Sequence, residues 1–566
     1  MSTSFKIKPQ LAVDSYKLNH KAMYPKGTTK IYSNMTPRSG KIIENIIPYD
    51  VYDGKVVHFG LQGLIKHLVG LFEENFFNVP FSKAIQDYGT AIAPFTGEMK
   101  DTSGFEALHK LGYLPIEIRG LSEGTIVPYK VPTFTIKNTH PDFAWLTNYV
   151  ETYFSNEYWK PATVATIARY YRKMFEKFAE ETGVPPEFVD WQGHDFSCRG
   201  MSGMMDSAVS GSGHLTSFTG SDTVIAAEWL KYAYNGSETF IAASVPATEH
   251  SVSSANIMYN MEVHGVDRAE AEYMFFTDYI TKIVPNGIAS YVADTYDYWT
   301  VITDIAARAK EQILNRGADV FGNSKVVFRP DTGNPVEVVC GLDYLDFDDA
   351  QLYDGDIDEF LCEQHCDETV IKMGGKYYEL KVESDSWGYF EWSTGKEIPE
   401  HIVKGSIECL WDTFGGTINE KGYKVLNPKV GLIYGDSITP ERAWNILTGL
   451  KKKGFATGCI VFGIGSFTYQ YITRDTLGWA IKATYLECNG KKINLYKDPK
   501  TGDGTKKSAK GLLQVYKNKV TGDYVLQDQV TEGQEQCGYL QLIWAEGDFG
   551  VETDLVTIRN NVRSSL

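Results

Sequence analysis

Seven times between residues 188 and 465 this chain repeats one pattern: a short apolar run, a polar or glycine-bearing turn, then a helical period. Such units confine a chain to a parallel sheet covered by helices. The clearest is Val326-Val327-Phe328-Arg329 followed by Pro330-Asp331-Thr332-Gly333-Asn334-Pro335. Pro and Gly force that turn out of the sheet and carry an arginine and an aspartate with it. The other expected strands are Phe188-Val189-Asp190-Trp191 before His194-Asp195-Phe196, Thr216-Ser217-Phe218 before Gly220-Ser221-Asp222, and Ile241-Ala242-Ala243-Ser244 before Glu249-His250. Ser290-Tyr291-Val292 before Asp294, Leu432-Ile433-Tyr434 before Gly435-Asp436, and Ile460-Val461-Phe462 before Gly463-Ile464-Gly465 complete the set. Strand ends bearing Asp, Arg, His and Gly are how an α/β barrel builds a catalytic face, so the chain reads as an enzyme.

A single barrel needs about 250 residues, and this chain has 566. Two or three structural units are therefore expected. Leu114-Pro115-Ile116-Glu117-Ile118-Arg119-Gly120 and Pro132-Thr133-Phe134-Thr135-Ile136-Lys137 read as strands near the N-terminus. So do Ala480-Ile481-Lys482-Ala483-Thr484-Tyr485, Gly511-Leu512-Leu513-Gln514-Val515-Tyr516 and Tyr539-Leu540-Gln541-Leu542-Ile543-Trp544 near the C-terminus. Residues 1–160 and 476–566 are expected to form one β-rich domain, and 161–475 the α/β barrel. Between the chain ends, one helix is expected from Asp142, with Phe143, Leu146, Val150, Tyr153 and Phe154 on its stripe. A second is expected from Thr163, with Ile167, Tyr170, Met174 and Phe178. An insertion at about 340–410 opens on acidic residues (Asp343, Asp346, Asp348, Asp349) and continues into a hairpin, residues 370–380, turning at Gly374-Gly375.

The formal charge of −17 excludes general nucleic-acid binding, which needs a basic footprint. It leaves an anionic small molecule open, because a local cationic cluster overrides the net field. The start, Met1-Ser2-Thr3-Ser4-Phe5-Lys6, has no apolar signal core, and no run approaches the ~20 apolar residues of a membrane span, so a cytoplasmic location is expected. The eight cysteines are dispersed. Cys362-Glu363-Gln364-His365-Cys366 offers three metal ligands, but no second cluster completes a tetrahedral site, and metal-coordinating residues stay unassigned.

Generic nucleotide motifs fail. Gly463-Ile464-Gly465-Ser466-Phe467-Thr468 lacks the last glycine of a dinucleotide fingerprint, and Gly502-Asp503-Gly504-Thr505-Lys506-Lys507-Ser508 has the wrong spacing for a phosphate loop. The first still exposes backbone N–H groups at a strand end, or is a plain turn. Arg199, Arg329 and Arg474 each sit beside such turns, where guanidinium binds phosphate bidentately or makes a structural ion pair. Asp222, Asp294, Asp331 and Asp436 share the presumed rim, where carboxylates hold Mg²⁺ or sugar hydroxyls, or cap helices. His250 is a base, acid or phosphoryl acceptor, or a structural histidine, with Glu249 placed to orient its ring. Phe196 and Tyr16, aromatics among charges, suit the walls of a planar-ring site.

Taken together these segments resemble the nicotinate/nicotinamide phosphoribosyltransferase family. The matching stretches include Asp14-Ser15-Tyr16-Lys17, Phe59-Gly60-Leu61-Gln62, Trp145-Leu146-Thr147-Asn148, His194-Asp195-Phe196 with Arg199-Gly200, and Gly220-Ser221-Asp222. Ser244-Val245-Pro246-Ala247 with Glu249-His250, Arg329-Pro330-Asp331, Gly435-Asp436, Thr473-Arg474-Asp475 and Lys497-Asp498-Pro499 follow in family order. The resemblance implies a type II phosphoribosyltransferase: an α/β barrel with a β-rich domain, acting as a homodimer with both active sites at the interface. It implies a glycosyltransferase of NAD salvage and pyridine nucleotide biosynthesis, joining nicotinamide to 5-phosphoribosyl 1-diphosphate with Mg²⁺. It further implies that ATP hydrolysis is coupled through a phosphorylated histidine, to which His250 is similar.

By the same resemblance Arg199, His250 and Arg329 contact diphosphate. Asp331, Gly435 and Asp436 hold ribose and the nearby phosphate, and Gly465, Ser466 and Arg474 bind the nucleotide 5′-phosphate. Phe196 stacks on nicotinamide, with Tyr16 from the partner on the other face. Asp222 accepts from the carboxamide, Ser244 lies among the substrate contacts, and Arg38, Lys482 and Lys497 are further phosphate contacts. Ser466 stands where vertebrate members carry a run of glycines, and Cys198 where they carry an aromatic residue. The alternatives are nicotinate phosphoribosyl transfer, disfavoured by the Asp222 carboxylate, and a non-catalytic nucleotide sensor, disfavoured by the full set of arginines with His250.

Overall fold

The computed structural model describes residues 5–98, 101–235, 240–347, 370–384, 390–501 and 507–566. The cysteine–histidine cluster at 362–366, the acidic residues 348–349, residues 502–506 of the glycine loop and residues 1–4 lie outside them. The chain divides into two compact units. Unit one holds Met1–Lys173, Ser197–Ala242 and Tyr469–Leu566; unit two holds Met174–Phe196 and Ala243–Thr468. Residues 161–173, 197–242 and 469–475, which the sequence groups with the barrel, thus belong to unit one.

Unit one is built on a seven-stranded sheet that interleaves the two chain ends. Its order is Lys491–Asn494, Ala480–Cys488, Thr28–Thr36, Phe134–Asn138, Ile116–Gly120, Gln541–Ala545 and Asp548–Phe549. Each neighbouring pair runs antiparallel. The central strands bury Ile31, Met35, Ile116, Ile118, Phe134 and Ile136 completely. A second apolar cluster joins Val57 and Phe59 to Leu215, Leu230, Leu555 and Ile558.

The expected pair of helices from Asp142 and Thr163 is one helix, Ala144–Thr182, with Pro161 inside it. Both predicted stripes are buried: Leu146, Val150 and Phe154, then Ile167, Tyr170, Met174 and Phe178. A proline inside a helix removes one i→i−4 hydrogen bond and strains the turn before it, yet this helix continues through Pro161. Here Thr163 Oγ1 donates to the Trp159 carbonyl. Gly60, left-handed at φ +103°, lets its backbone approach the proline ring, where a Cβ would lie 2.7 Å from Pro161 Cγ.

Unit two carries the parallel sheet. Its strands run in the order Gly193–Asp195, Ile460–Ile464, Val430–Tyr434, Val326–Arg329 and Ala289–Val292. A parallel bridge from Ala247 to Ser290 extends the edge. The strand Val326–Arg329 alternates, with Val326 and Phe328 fully buried and Val327 and Arg329 half-buried, whereas Ala289–Val292 and Val430–Tyr434 are buried along their whole length. Phe328 stacks on Phe276 and Phe462 on Phe175, which fastens helices to the outer face.

Three expected strands form elsewhere or not at all. Phe188-Val189-Asp190-Trp191 lies in the helix Pro186–Gln192, started by a proline at its first position, and the strand moves to Gly193–Asp195. Residues 216–218 continue as hydrogen-bonded turns after the helix Met204–His214, with Thr216 Oγ1 donating to the Gly213 carbonyl. The extended pair is only Gly220–Ser221. The Phe240 and Ile241 carbonyls accept from the buried Arg559 guanidinium rather than from a strand ladder.

The insertion forms its own four-stranded sheet. Leu345–Asp346 pairs parallel with Val370–Met373, and the hairpin continues through Lys376–Ser384 to Phe390–Ile398. Gly374 and Gly375 both take positive φ, +56° and +78°, as a two-residue hairpin of this twist requires. Leu345, Ile371 and Leu380 are its core. Its two ends meet at Gly341 and Gly405, where Leu342 donates to the Val403 carbonyl at 3.0 Å. A Cβ on either glycine would fall within 2.2 Å of the other segment's backbone.

Candidate active site

At the C-terminal ends of the parallel strands of unit two, five polar side chains gather. Asp294 follows Ala289–Val292 and is only 3% exposed in its side chain. Its Oδ2 accepts from the Asp331 N–H (3.0 Å) and from Thr332 Oγ1 (2.8 Å), so one carboxylate shapes the turn after Val326–Arg329. Its Oδ1 is buried with no hydrogen-bond partner among the described residues and lies 3.8 Å from His250 Nε2. Asp331 Oδ2 is 3.8 Å from the same nitrogen.

His250 opens the helix His250–His264, with its ring about half exposed. The ring is held by Thr295 Oγ1, 3.2 Å from Nδ1. Glu249, expected to orient it, instead pairs with Ser251 Oγ. Arg329 Nη2 donates to the Thr248 carbonyl (2.8 Å), and Thr248 Oγ1 accepts from Val292 N–H (2.9 Å). Arg329 thereby ties the loop carrying His250 to its own strand end.

Helix capping does not account for these carboxylates. The caps are taken by Asp297 for Tyr298–Thr300, Asn334 for Pro335–Cys340 and Thr439 for Pro440–Lys452. Asp294, Asp331 and Asp436 precede those caps by three residues each and serve none of these helices. Burial lifts the Asp331 carboxyl above its ordinary range; the Arg329 guanidinium opposes this, and the Asp294 and Asp436 charges add to it. Tyr434, whose hydroxyl donates to the Thr332 and Gly333 carbonyls, is raised by its burial and by Asp436, Asp331 and Asp294. Three carboxylates with one arginine therefore form a single electrostatic group.

Phe196 is seated by glycine. A Cβ at Gly463 would stand 2.3 Å from Phe196 Cδ2, and one at Gly435 2.7 Å from it. One edge of the ring thus occupies the side-chain space of two adjacent strands. Phe196 N–H donates to the Ile464 carbonyl, and His194 packs against the ring at 5.1 Å between centroids. The sequence marked Gly435 and Gly465 as site residues and read Gly463 only as part of a glycine turn; the signal for its role was a glycine at the same end of two neighbouring buried strands. Thr248 and Thr295, also missed, carry no pattern that a linear reading detects. Ser466 begins a four-residue helix after Gly465, Ser437 Oγ donates to Asp436 Oδ2, and Ser244 is exposed ahead of His250.

The remaining predicted residues lie in unit one. Arg199 and Arg474 open or occupy short 3-10 turns, Cys198–Gly200 and Arg474–Thr476, rather than strand ends, and so do not match Arg329 in position. Asp222 is exposed beyond Gly220–Ser221 and is not one of the three coupled carboxylates. Tyr16, Arg38, Arg474 and Lys482 line a cleft of ≈ 310 Å³. Arg38 donates from Nε to the Gly478 carbonyl (2.9 Å). Burial pulls the Lys482 ammonium below its ordinary range; Glu151 opposes, while Lys497, Arg38 and Arg474 reinforce. A cluster of cations that raise one another's energy is suited to receive an anion.

A family model described as "Nicotinate phosphoribosyltransferase (NAPRTase) family" matches residues 191–533. The chain belongs to the nicotinate phosphoribosyltransferase family. A second model, "Nicotinamide phosphoribosyltransferase, N-terminal domain", matches residues 9–79. Similar proteins include nicotinamide phosphoribosyltransferase of Acinetobacter baylyi, 41% identical over 565 residues that cover 100% of this chain and 98% of that one. Nicotinamide phosphoribosyltransferase of Mycoplasma pneumoniae is 31% identical over 90% of this chain and 97% of its own length. A solved nicotinate-nucleotide pyrophosphorylase from Pyrococcus furiosus aligns over 100% of this chain and 98% of its own, with 16% identity and a TM-score of 0.49. The insertion at about 340–410 falls between the two rim strands Val326–Arg329 and Val430–Tyr434. Among the described residues no helix is long and apolar enough to cross a membrane.

Proposed function

We propose that this enzyme joins nicotinamide to 5-phosphoribosyl 1-diphosphate, releasing nicotinamide mononucleotide and diphosphate in NAD salvage. The observation that carries the reading is the convergence of His250, Asp294, Arg329, Asp331 and Asp436 beside a glycine-seated aromatic ring. Full-length similarity to proteins named nicotinamide phosphoribosyltransferase supports the choice of substrate.

The chemistry asks for two things. The pyridine nitrogen must be held in line with the anomeric carbon, and the departing diphosphate must be neutralised. Phe196 gives the planar ring a fixed wall. Arg329 offers a permanent cation, and Asp331 with Asp436 accept from ribose hydroxyls as positive charge builds on the sugar. As the nitrogen bonds to the anomeric carbon, the bond to diphosphate breaks with its electron pair. Gly465 and Ser466 receive the 5′-phosphate. Mg²⁺ fits Asp294 Oδ1, which is buried and unpartnered, with Asp331 beside it. Among the described residues no three His, Cys, Asp or Glu side chains make a closed metal site, which suits an ion completed by substrate phosphates. Bound there, it would supply charge neutralisation on the diphosphate.

His250 is the proposed phosphoryl acceptor when ATP is coupled: Nδ1 is engaged with Thr295, and Nε2 is left toward Asp294 and Asp331. The cation-lined cleft of unit one, with Lys497, is the proposed site for further phosphate, and Arg199 a further diphosphate contact. In the proposed homodimer Tyr16 of one protomer covers the nicotinamide of its partner. Asp222 selects the carboxamide over a carboxylate. The test compares nicotinamide with nicotinate as substrate for the native enzyme and for Asp222→Ala. Turnover of nicotinamide alone, reduced in the variant, is expected; equal use of nicotinate by the native enzyme would overturn the Asp222 assignment.

A further inference from the structure

The turn Ser15–Asn19, which carries Tyr16, is pinned by a buried ion pair. Lys17 Nζ lies 2.9 Å from Glu151 Oε2, with side chains 7% and 9% exposed. Lys17 also donates to the Asn148 carbonyl at 2.6 Å, and Glu151 Oε1 accepts from Ser33 Oγ at 2.6 Å. Asn148 Nδ2 donates to Glu151 Oε2, and Asn148 Oδ1 lies 2.7 Å from His20 Nδ1. This stretch of chain is thus fastened to the long helix through Lys17, through His20 and through Asp14, whose Oδ2 accepts from Thr152 Oγ1 at 2.8 Å.

All of these groups line the same cleft as Arg38, Arg474 and Lys482, except Ser33. The cations differ in what surrounds them. The Lys482 ammonium is pulled down first by burial and further by Lys497, Arg38 and Arg474, with only distant relief from Glu151, whereas Lys17 touches that carboxylate and a carbonyl directly. Lys17 is therefore a poor phosphate ligand and a good anchor. Tyr16 is lightly held: it is 63% exposed, with a 3.4 Å hydrogen bond to Asp14 and a tilted contact with the His20 ring at 5.6 Å between centroids. Its ring therefore follows the turn, which Lys17, the next residue, fastens to the helix by a buried ion pair.

We propose that Lys17 and Glu151 are a positioning pair that holds the Ser15–Asn19 turn and so presents the Tyr16 ring to the pyridine substrate. The proposal rests on the nicotinamide reading above. Breaking a buried pair from one side leaves an uncompensated charge, whereas removing both charges together is often harmless. Two full-length variants use that asymmetry: Glu151→Gln, and the double variant Lys17→Met with Glu151→Leu.

Glu151→Gln is expected to raise KM for nicotinamide about 10-fold, with kcat and KM for phosphoribosyl diphosphate within about 3-fold. Amide hydrogen exchange over residues 14–23 is expected to quicken about 10-fold or more. The double variant is expected to recover exchange protection and KM to within about 3-fold of the native enzyme. Unchanged exchange and KM in Glu151→Gln, or a rise confined to KM for phosphoribosyl diphosphate, would overturn the proposal. If the native protein makes no mononucleotide, the proposed function fails, while the exchange comparison still decides whether the pair holds the turn.

Discussion

Replacing Gly463 by alanine puts the seat of Phe196 to a direct test. The new Cβ would stand 2.3 Å from Phe196 Cδ2, 2.5 Å from Cε2 and 2.8 Å from Gly435 Cα. Carbon atoms settle about 3.5–4.0 Å apart, so the ring must retreat by roughly 1 Å or more. Gly463 is not among the left-handed glycines, so the penalty is steric rather than conformational. Overpacking of this kind costs about 1–3 kcal/mol of stability. A displacement of about 1 Å in a substrate-positioning group costs on the order of 10²-fold in rate. Steady-state kinetics with nicotinamide should therefore show kcat/KM reduced about 10²-fold, alongside a lowered Tm. In a Phe196→Ala background the same substitution should cost much less activity, because the ring is gone. The close approach to Gly435 Cα keeps part of the stability cost there. An alanine variant as active and stable as the native enzyme, or an equal activity loss in both backgrounds, would refute the seat.

Asp294→Ala strips the Asp331 N–H and the Thr332 hydroxyl of their acceptor. A stability loss of about 2 kcal/mol is expected from denaturant midpoints, with activity lost as well; a neutral variant would contradict the shaping of the rim turn by Asp294. Glu123 is fully buried and accepts from the Gly60 and Gln62 N–H groups, and its carboxyl is pushed up by that burial to about 7, from an ordinary 4.5. The folded protein keeps a proton that the unfolded chain loses, so this group's stabilisation is full below about 4.5 and fades as pH rises to about 7. Glu123→Gln should flatten the stability difference between about pH 5 and about pH 8; an undiminished slope would assign it to other groups. His250→Ala should abolish ATP stimulation while leaving nicotinamide binding less affected, and stimulation that persists would remove the phosphoryl-acceptor role.

Strands made of consecutive β-branched and aromatic residues were legible, and Val326–Arg329, Val430–Tyr434 and Ile460–Ile464 formed as the run of apolar residues implied. The strands that misled were decided by groups distant in sequence. Arg559 claims the Ile241 carbonyl from 318 positions away. At the site, residue types that carry charge announced themselves: His250, Arg329, Asp331 and Asp436 gather in unit two. Gly463 did not, because the absence of a side chain matters only when Phe196 lies across it. Lys17 and Glu151 were equally silent, since their pairing spans 134 positions. The Cys198–Gly200 and Arg474–Thr476 turns show that an arginine near a turn residue need not stand at a strand end.

The most direct measurement is product formation from nicotinamide, phosphoribosyl diphosphate and Mg²⁺ by the native enzyme and by Arg329→Gln, which keeps hydrogen-bonding capacity but removes the cation. Equimolar mononucleotide and diphosphate from the native enzyme, with a loss on the order of 10²-fold or more in the variant, is the expected result. No mononucleotide from the native enzyme, or equal rates from both proteins, would contradict the claim that the rim stabilises a departing diphosphate.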